Sequence, residues 1–357
     1  MSQITLRITD TLSRELGHSM SINELTKKMG QSYGTAYYAN TYRNIRKMLA
    51  DGTINIQKTG KSSLVALNFS NYFVTDLLTE LELRRKQTFL EKRSGLTMLL
   101  GDIDERFKDS SFIKSMSLIN PEKNIRLDRI ELLVITQNSL EDNLAIDYIP
   151  KMYSTIQALQ RKHNIRIDLL TLSKGEFLLL LKSNEINPLR EMLSDKITFF
   201  QPQSFWLDIR DAINSLEKRY YLRTKEYEIN PSKISEDELI YNLTRFGYKE
   251  IGSQIKQGTN ICIEYIITSI LMKNEARRIN AIPVILSKNK VNYNLLVFLC
   301  QKYRVSDKLL GLLRTLSGIK PTEEIKLHMK VLEALEIREI KADERSIREK
   351  MVLYNAT

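Results

Sequence analysis

Cysteine, histidine, proline and glycine are all scarce in this chain of 357 residues. The two cysteines, Cys262 and Cys300, lie in apolar helical contexts, NICIEYII and LLVFLCQKY. That favours buried thiols in a reducing compartment, the cytoplasm, over a disulfide. Three scattered histidines and two cysteines cannot assemble a zinc site at ligand spacing. Only 7 prolines and 13 glycines leave little room for flexible or low-complexity segments. No apolar run approaches the roughly 18 residues needed to span a membrane. The N-terminal MSQITLRITD lacks the apolar core and small-residue cleavage site of a signal peptide. There is no P-loop, no Gly-x-Gly-x-x-Gly after a strand and no Gly-x-Ser-x-Gly elbow. No cofactor or metal is implied.

What the chain does have is ordinary globular material, 42% hydrophobic and 27% charged, with a net charge of +11. The length suits two or three domains. The charge favours an anionic partner such as nucleic acid. The expected class is α+β and multidomain, with boundaries at 1–70, 71–95, 96–225, 229–318 and 319–357.

The first segment reads as short helices followed by two strands. Ser21 with Glu24 three positions on makes a capping box, and Gly30 is expected to end that helix. In the next helix, Tyr38, Tyr42, Ile45 and Leu49 recur at helical spacing as an inward stripe. The opposite face carries Tyr37, Asn40, Arg43, Asn44 and Lys47. TINIQK and SSLVALNF then alternate as strands across Thr59-Gly60-Lys61. From Ser21 to Lys61 there are seven basic residues against two acidic ones. On ELTKKMGQSYGTAYYANTYRNIRKMLADGTINI the segment resembles the winged helix-turn-helix superfamily. The resemblance implies a second helix in the major groove of duplex DNA and a hairpin wing on the flanking backbone. Asn40, Arg43 and Asn44 would approach base edges. Lys28, Lys47, Lys58 and Lys61 would meet phosphates, with Tyr33, Thr35 and Tyr37 beside them.

Residues 70 to 93 read as one long connecting helix. Its stripe of Phe73, Leu77 and Leu81 would either pack on its own chain or form a homodimer seam.

From 96 to 225 strands and helices alternate: RIELLVIT, IPKMYSTIQALQRKH, IRIDLLTLS, KGEFLLLLKS, KITFF and QSFWLDIRDAI. The pattern resembles the minimal nucleotidyltransferase fold. Active members pair a Gly-Ser turn, which holds the triphosphate, with an Asp-x-Asp strand and a third carboxylate that hold Mg²⁺. On this chain the turn falls at Met116-Ser117, without its glycine. The carboxylate pair falls at Arg129-Ile130-Glu131, with arginine first, and Asp168 takes the third position. Asp128 cannot stand in, because residues 128 and 131 on one strand point to opposite faces. A guanidinium between carboxylates forms salt bridges and repels a divalent metal. The resemblance therefore implies a degenerate site at Ser117, Arg129, Glu131 and Asp168, and no enzyme activity.

The remainder is mostly helical. Ser235 and Glu238 make a second capping box, and breaks are expected at Pro283 and near Asn289. Arg277 to Pro283 resembles helical segments that follow degenerate nucleotidyltransferase-like domains in archaeal winged-helix proteins. Arg277 and Arg278 are candidates for phosphate or an acidic partner, or for a solvated face. His163 is expected at a helix end and Trp206 in the core. The favoured function is a DNA-binding transcriptional regulator whose middle domain serves as scaffold or sensor. The alternatives are an active Mg-dependent nucleotidyltransferase on RNA or protein, and a protein-interaction module of a toxin–antitoxin-like or chromatin assembly.

Overall fold

A computed structural model describes residues 2–16, 19–60, 62–91, 93–126, 128–137, 143–214, 229–249 and 257–356. Lys61 lies outside the described residues. The fold is mixed α+β, and the chain forms two compact units. One comprises residues 1–124, 177–182 and 189–227, and the other residues 125–176, 183–188 and 228–357. The segment 96–225, expected as one domain, therefore contributes to both.

In chain order the first stretch is α1 (Gln3–Ser13), β1 (Met20–Ser21), α2 (Ile22–Tyr33), α3 (Tyr38–Ala50), β2 (Ile54–Thr59) and β3 (Ser62–Leu67). The three strands form one antiparallel sheet in the order β1-β3-β2, one strand more than the periodicity indicated. Ser21 caps α2 as expected, its hydroxyl accepting from the Glu24 N–H at 3.2 Å. Gly30 does not end that helix. The chain runs on to Tyr33 and stops at Gly34, whose φ of 88° is the conformation only glycine adopts freely. On α3 the inward face is Thr41, Ile45 and Met48, not the tyrosine stripe. Thr41 tolerates burial because its hydroxyl donates to the Tyr37 carbonyl at 3.1 Å.

The same unit holds α4 (Phe73–Leu90), α5 (Ser94–Phe107) and β4 (Ile113–Ile119). After β4 come α6 (Pro121–Ile125), β5 (Arg129–Thr136), α7 (Asn143–His163), β6 (Arg166–Ser173), α8 (Lys174–Lys182), α9 (Leu189–Ser194), β7 (Lys196–Phe200) and α10 (Pro202–Asn214). Within the first unit β7 pairs antiparallel with β4, and α4 packs against β7 and α10. Leu77 and Leu81 of α4 are buried within the unit, leaving Phe73 as the exposed member of the expected seam. Trp206 is buried on α10, edge-on to Phe205 at 5.3 Å.

An ionic network, unannounced by the sequence, ties α1, α2, α4 and β7 together. Fully buried Glu82 accepts from Lys196 Nζ at 2.6 Å and from the Thr198 N–H at 2.8 Å. Arg85 spans Glu82 at 2.9 Å and Asp10, which also accepts from the Tyr33 hydroxyl. Lys196 lies 4.2 and 4.4 Å from the ring centres of Phe205 and Trp206. Burial pushes its ammonium down to about 8 despite Glu82 beside it. Burial is also the largest influence on Asp10, but Arg85 and Arg14 outweigh it and hold that carboxyl below its usual value.

In the second unit β5 and β6 run parallel, in the register Arg129↔Arg166 and Glu131↔Asp168, joined by α7. The helices that follow are α11 (Glu236–Arg245), α12 (Ile263–Lys273), α13 (Ala276–Ile279), α14 (Ile282–Lys288), α15 (Tyr293–Lys302), α16 (Ser306–Ile319), α17 (Glu323–Ala334) and α18 (Glu344–Leu353). Ser235 caps α11, Pro283 opens α14 and Asn289 closes it. Both cysteines are buried and free. Helix α15 packs on β6, and α17 on α7. The charged C-terminal stretch is also helical, seating Ile347 and Met351 of α18 in the core.

Candidate nucleic-acid interface and the carboxylate cluster

Helix α3 begins with a polar, aromatic surface. Tyr37 is 67% exposed, Tyr38 49% and Tyr42 39%, and Thr35, Asn40, Arg43, Arg46 and Lys47 are exposed with them. Tyr38 and Tyr42 stack with ring centres 6.1 Å apart and planes 17° from parallel. Arg46 donates from Nε to the Tyr42 hydroxyl at 3.1 Å and covers its ring. Lys58 is exposed on the β2–β3 hairpin.

Three of the expected contacts are otherwise engaged. Lys28 donates to Glu15 at 2.8 Å and lies 3.1 Å from Glu24. Tyr33 is half-buried, bonded to Asp10 with Arg7 over its ring. Asn44 donates to the Asn40 carbonyl and accepts from Ser2 at 3.2 Å, so its amide is held toward α1. In their place stand Tyr38, Tyr42 and Arg46. The Thr41/Ile45/Met48 repeat was the signal that would have turned them outward, and it was hidden by the apolar look of the tyrosines.

The carboxylate cluster assembles on adjacent strands. Glu131 and Asp168 face each other across the β5–β6 register, each 1% exposed. Arg129 reaches within 3.3 Å of Glu131, and Lys302 of α15 donates to it at 3.2 Å. Arg166 donates to Asp168 Oδ1 at 2.9 Å and also reaches the Gln301 carbonyl. Burial raises the Asp168 carboxyl, and neighbouring Arg166 only partly offsets it. Three cations against two carboxylates leave no negative charge to attract a divalent metal. Among the described residues no group of three or more His, Cys, Asp or Glu is placed to hold one.

Ser117 does not sit at a turn. Met116 and Ser117 lie inside β4, at an irregularity of its pairing with β7, and the Ser117 hydroxyl is 2.9 Å from that of Thr198. A strand offers no run of free N–H groups to a phosphate, so the expected turn is corrected to a strand interior. Lys302 and Arg166 were missed. Lys302 joins from 171 positions away. Arg166 stands two before Asp168 on its own strand face, a spacing that could have been read. Arg278, a phosphate candidate, is buried against Glu236 and Glu275.

No family model, curated protein or solved structure matches the chain.

Proposed function

We propose that this protein binds duplex DNA through α3 and the β2–β3 hairpin, as a transcriptional regulator. The single observation that carries the reading is the exposed face of α3, where Asn40, Arg43, Arg46 and three tyrosines project together. The order α1-β1-α2-α3-β2-β3 around a three-stranded sheet supports a winged helix-turn-helix. Arginine and asparagine read purine edges bidentately in the major groove, and tyrosine hydroxyls donate to phosphates. The β5–β6 cluster, with its charges answered by arginine and lysine, is not read as a nucleotidyl-transfer centre.

The test is Arg43→Ala in a binding assay over randomised duplexes. The preferred site should lose about 1–3 kcal/mol and its preference should relax. Unchanged affinity and selection would remove α3 as the reader.

A further inference from the structure

A second site lies in the other unit, and it requires nothing of the DNA-binding reading. A cleft of about 450 Å³ opens beside β6, walled by α7, the α15–α16 corner and the loop after α17. Three of the residues lining it, Asp168, Gln301 and Ser306, each carry a buried side-chain oxygen, Oδ2, Oε1 and Oγ, with no hydrogen-bond partner among the described residues. Asp168 and Ser306 are 1% and 4% exposed. Buried polar atoms are almost always satisfied, so three such residues around one cleft mark a place built to receive donors.

The rim has the opposite character. Arg304 and Arg338 line the cleft, are exposed, and form no ion pair among the described residues. Arg304 holds a left-handed backbone, φ 59°, at the end of α15, where glycine is the unstrained choice. An arginine kept in such a position is a hint of function. Across the cleft Glu336 has the same backbone, φ 56°, and its charge is answered by Arg161 at 2.6 Å.

Charge decides between ligand classes. Asp168 is already compensated by Arg166, so its free oxygen suits a neutral O–H or N–H donor better than a cation. With Glu336 also answered, Asp307 alone faces Arg304 and Arg338, leaving positive charge in excess. We propose that the cleft binds a hydroxyl-bearing phosphate monoester, a sugar phosphate or a nucleoside monophosphate. The hydroxyls donate to Asp168, Gln301 and Ser306, and the phosphate meets Arg304 and Arg338. Arginine's planar fork fits phosphate oxygens in pairs.

The test is calorimetric titration of the full chain with ribose 5-phosphate, AMP, ribose and inorganic phosphate. Either phosphate ester should saturate one site at least about tenfold more tightly than ribose or phosphate alone, and the tighter ester identifies the source. Arg304→Gly removes the guanidinium while relieving the backbone, and Ser306→Ala removes a hydroxyl that bonds nothing in the fold. Each should keep the unfolding midpoint at or above the parent's and weaken the ester about tenfold or more. Absence of ester binding at millimolar concentration overturns the proposal. So does phosphate alone binding as tightly as either ester, or affinity unmoved by both substitutions.

Discussion

At the scale of single residues, burial sets the chemistry more than sequence neighbourhood does. His328 is fully buried on α17, with Nδ1 at 2.7 Å from the Glu324 carbonyl, Nε2 at 3.0 Å from the Asn294 amide and its ring stacked on Tyr293. Burial holds the imidazole down to about 4, from 6.5 in an open chain. The unfolded state therefore binds the extra proton between pH 6.5 and 4, and stability contributed by the neutral ring is lost as pH falls through that window. Over the full window this amounts to about 3 kcal/mol. Unfolding free energies of the parent and His328→Gln, measured at pH 7 and at pH 4, should differ by less at the acidic end. Equal falls in both proteins would show that the imidazole is not the source. Such a role was invisible in EEIKLHMKVLEAL, because whether His328 faces inward depends on packing from α15. Arg129 and Glu131, by contrast, were legible as a pair. Residues two apart on a strand share a face, and only the third member, Lys302, needed the tertiary fold.

At the scale of elements, strands were read more accurately than helix ends. RIELLVIT became Arg129–Thr136 and KITFF became Lys196–Phe200, because continuous apolar runs bounded by charge leave little choice of limits. Asp128, at φ 50°, stands outside its strand and so could not have acted from it. Helix α2 shows where local reasoning failed. Gly30 and Gly34 are both plausible stops, and only the second turns left-handed. Gly34→Ala meets no atom within 4 Å but must adopt φ 88°, so it should destabilise the unit by about 1–2 kcal/mol. Gly30→Ala sits in helix with open space around it and should stabilise by up to about 1 kcal/mol. Denaturant midpoints for the two variants should move in opposite directions, and a shared direction would mean the helix ends at neither. The inward face of α3 failed for a related reason. Tyrosine counts as apolar in a periodicity, yet Tyr38 and Tyr42 at the head of the helix are exposed while Thr41 turns in.

At the scale of the whole molecule, a charge of +11 says nothing about where an anion would bind, and the structure sorts the cations. Lys28, Arg85, Arg129, Arg166 and Lys196 are committed to buried carboxylates, and Arg278, itself buried, to Glu236. Arg43, Arg46, Lys47 and Lys58 stand exposed on α3 and the hairpin. If Arg46, Lys47 and Lys58 neutralise phosphates while Arg43 reads base edges, each released counterion contributes ~0.9 to the log–log salt slope, which should be about −3 for one chain on duplex DNA and double for two. A general attraction of the whole surface would instead depend on all free cations alike. The distinction is read by substituting one lysine of each kind. Lys58→Gln should shallow the slope by about 1, whereas Lys28→Gln, already paired with Glu15 and Glu24, should leave it unchanged. Equal slopes for both variants and the parent would mean that the hairpin does not touch the duplex. A flat response in all three would reassign the aromatic face of α3 to a protein partner, for which exposed tyrosines beside arginine are equally suited.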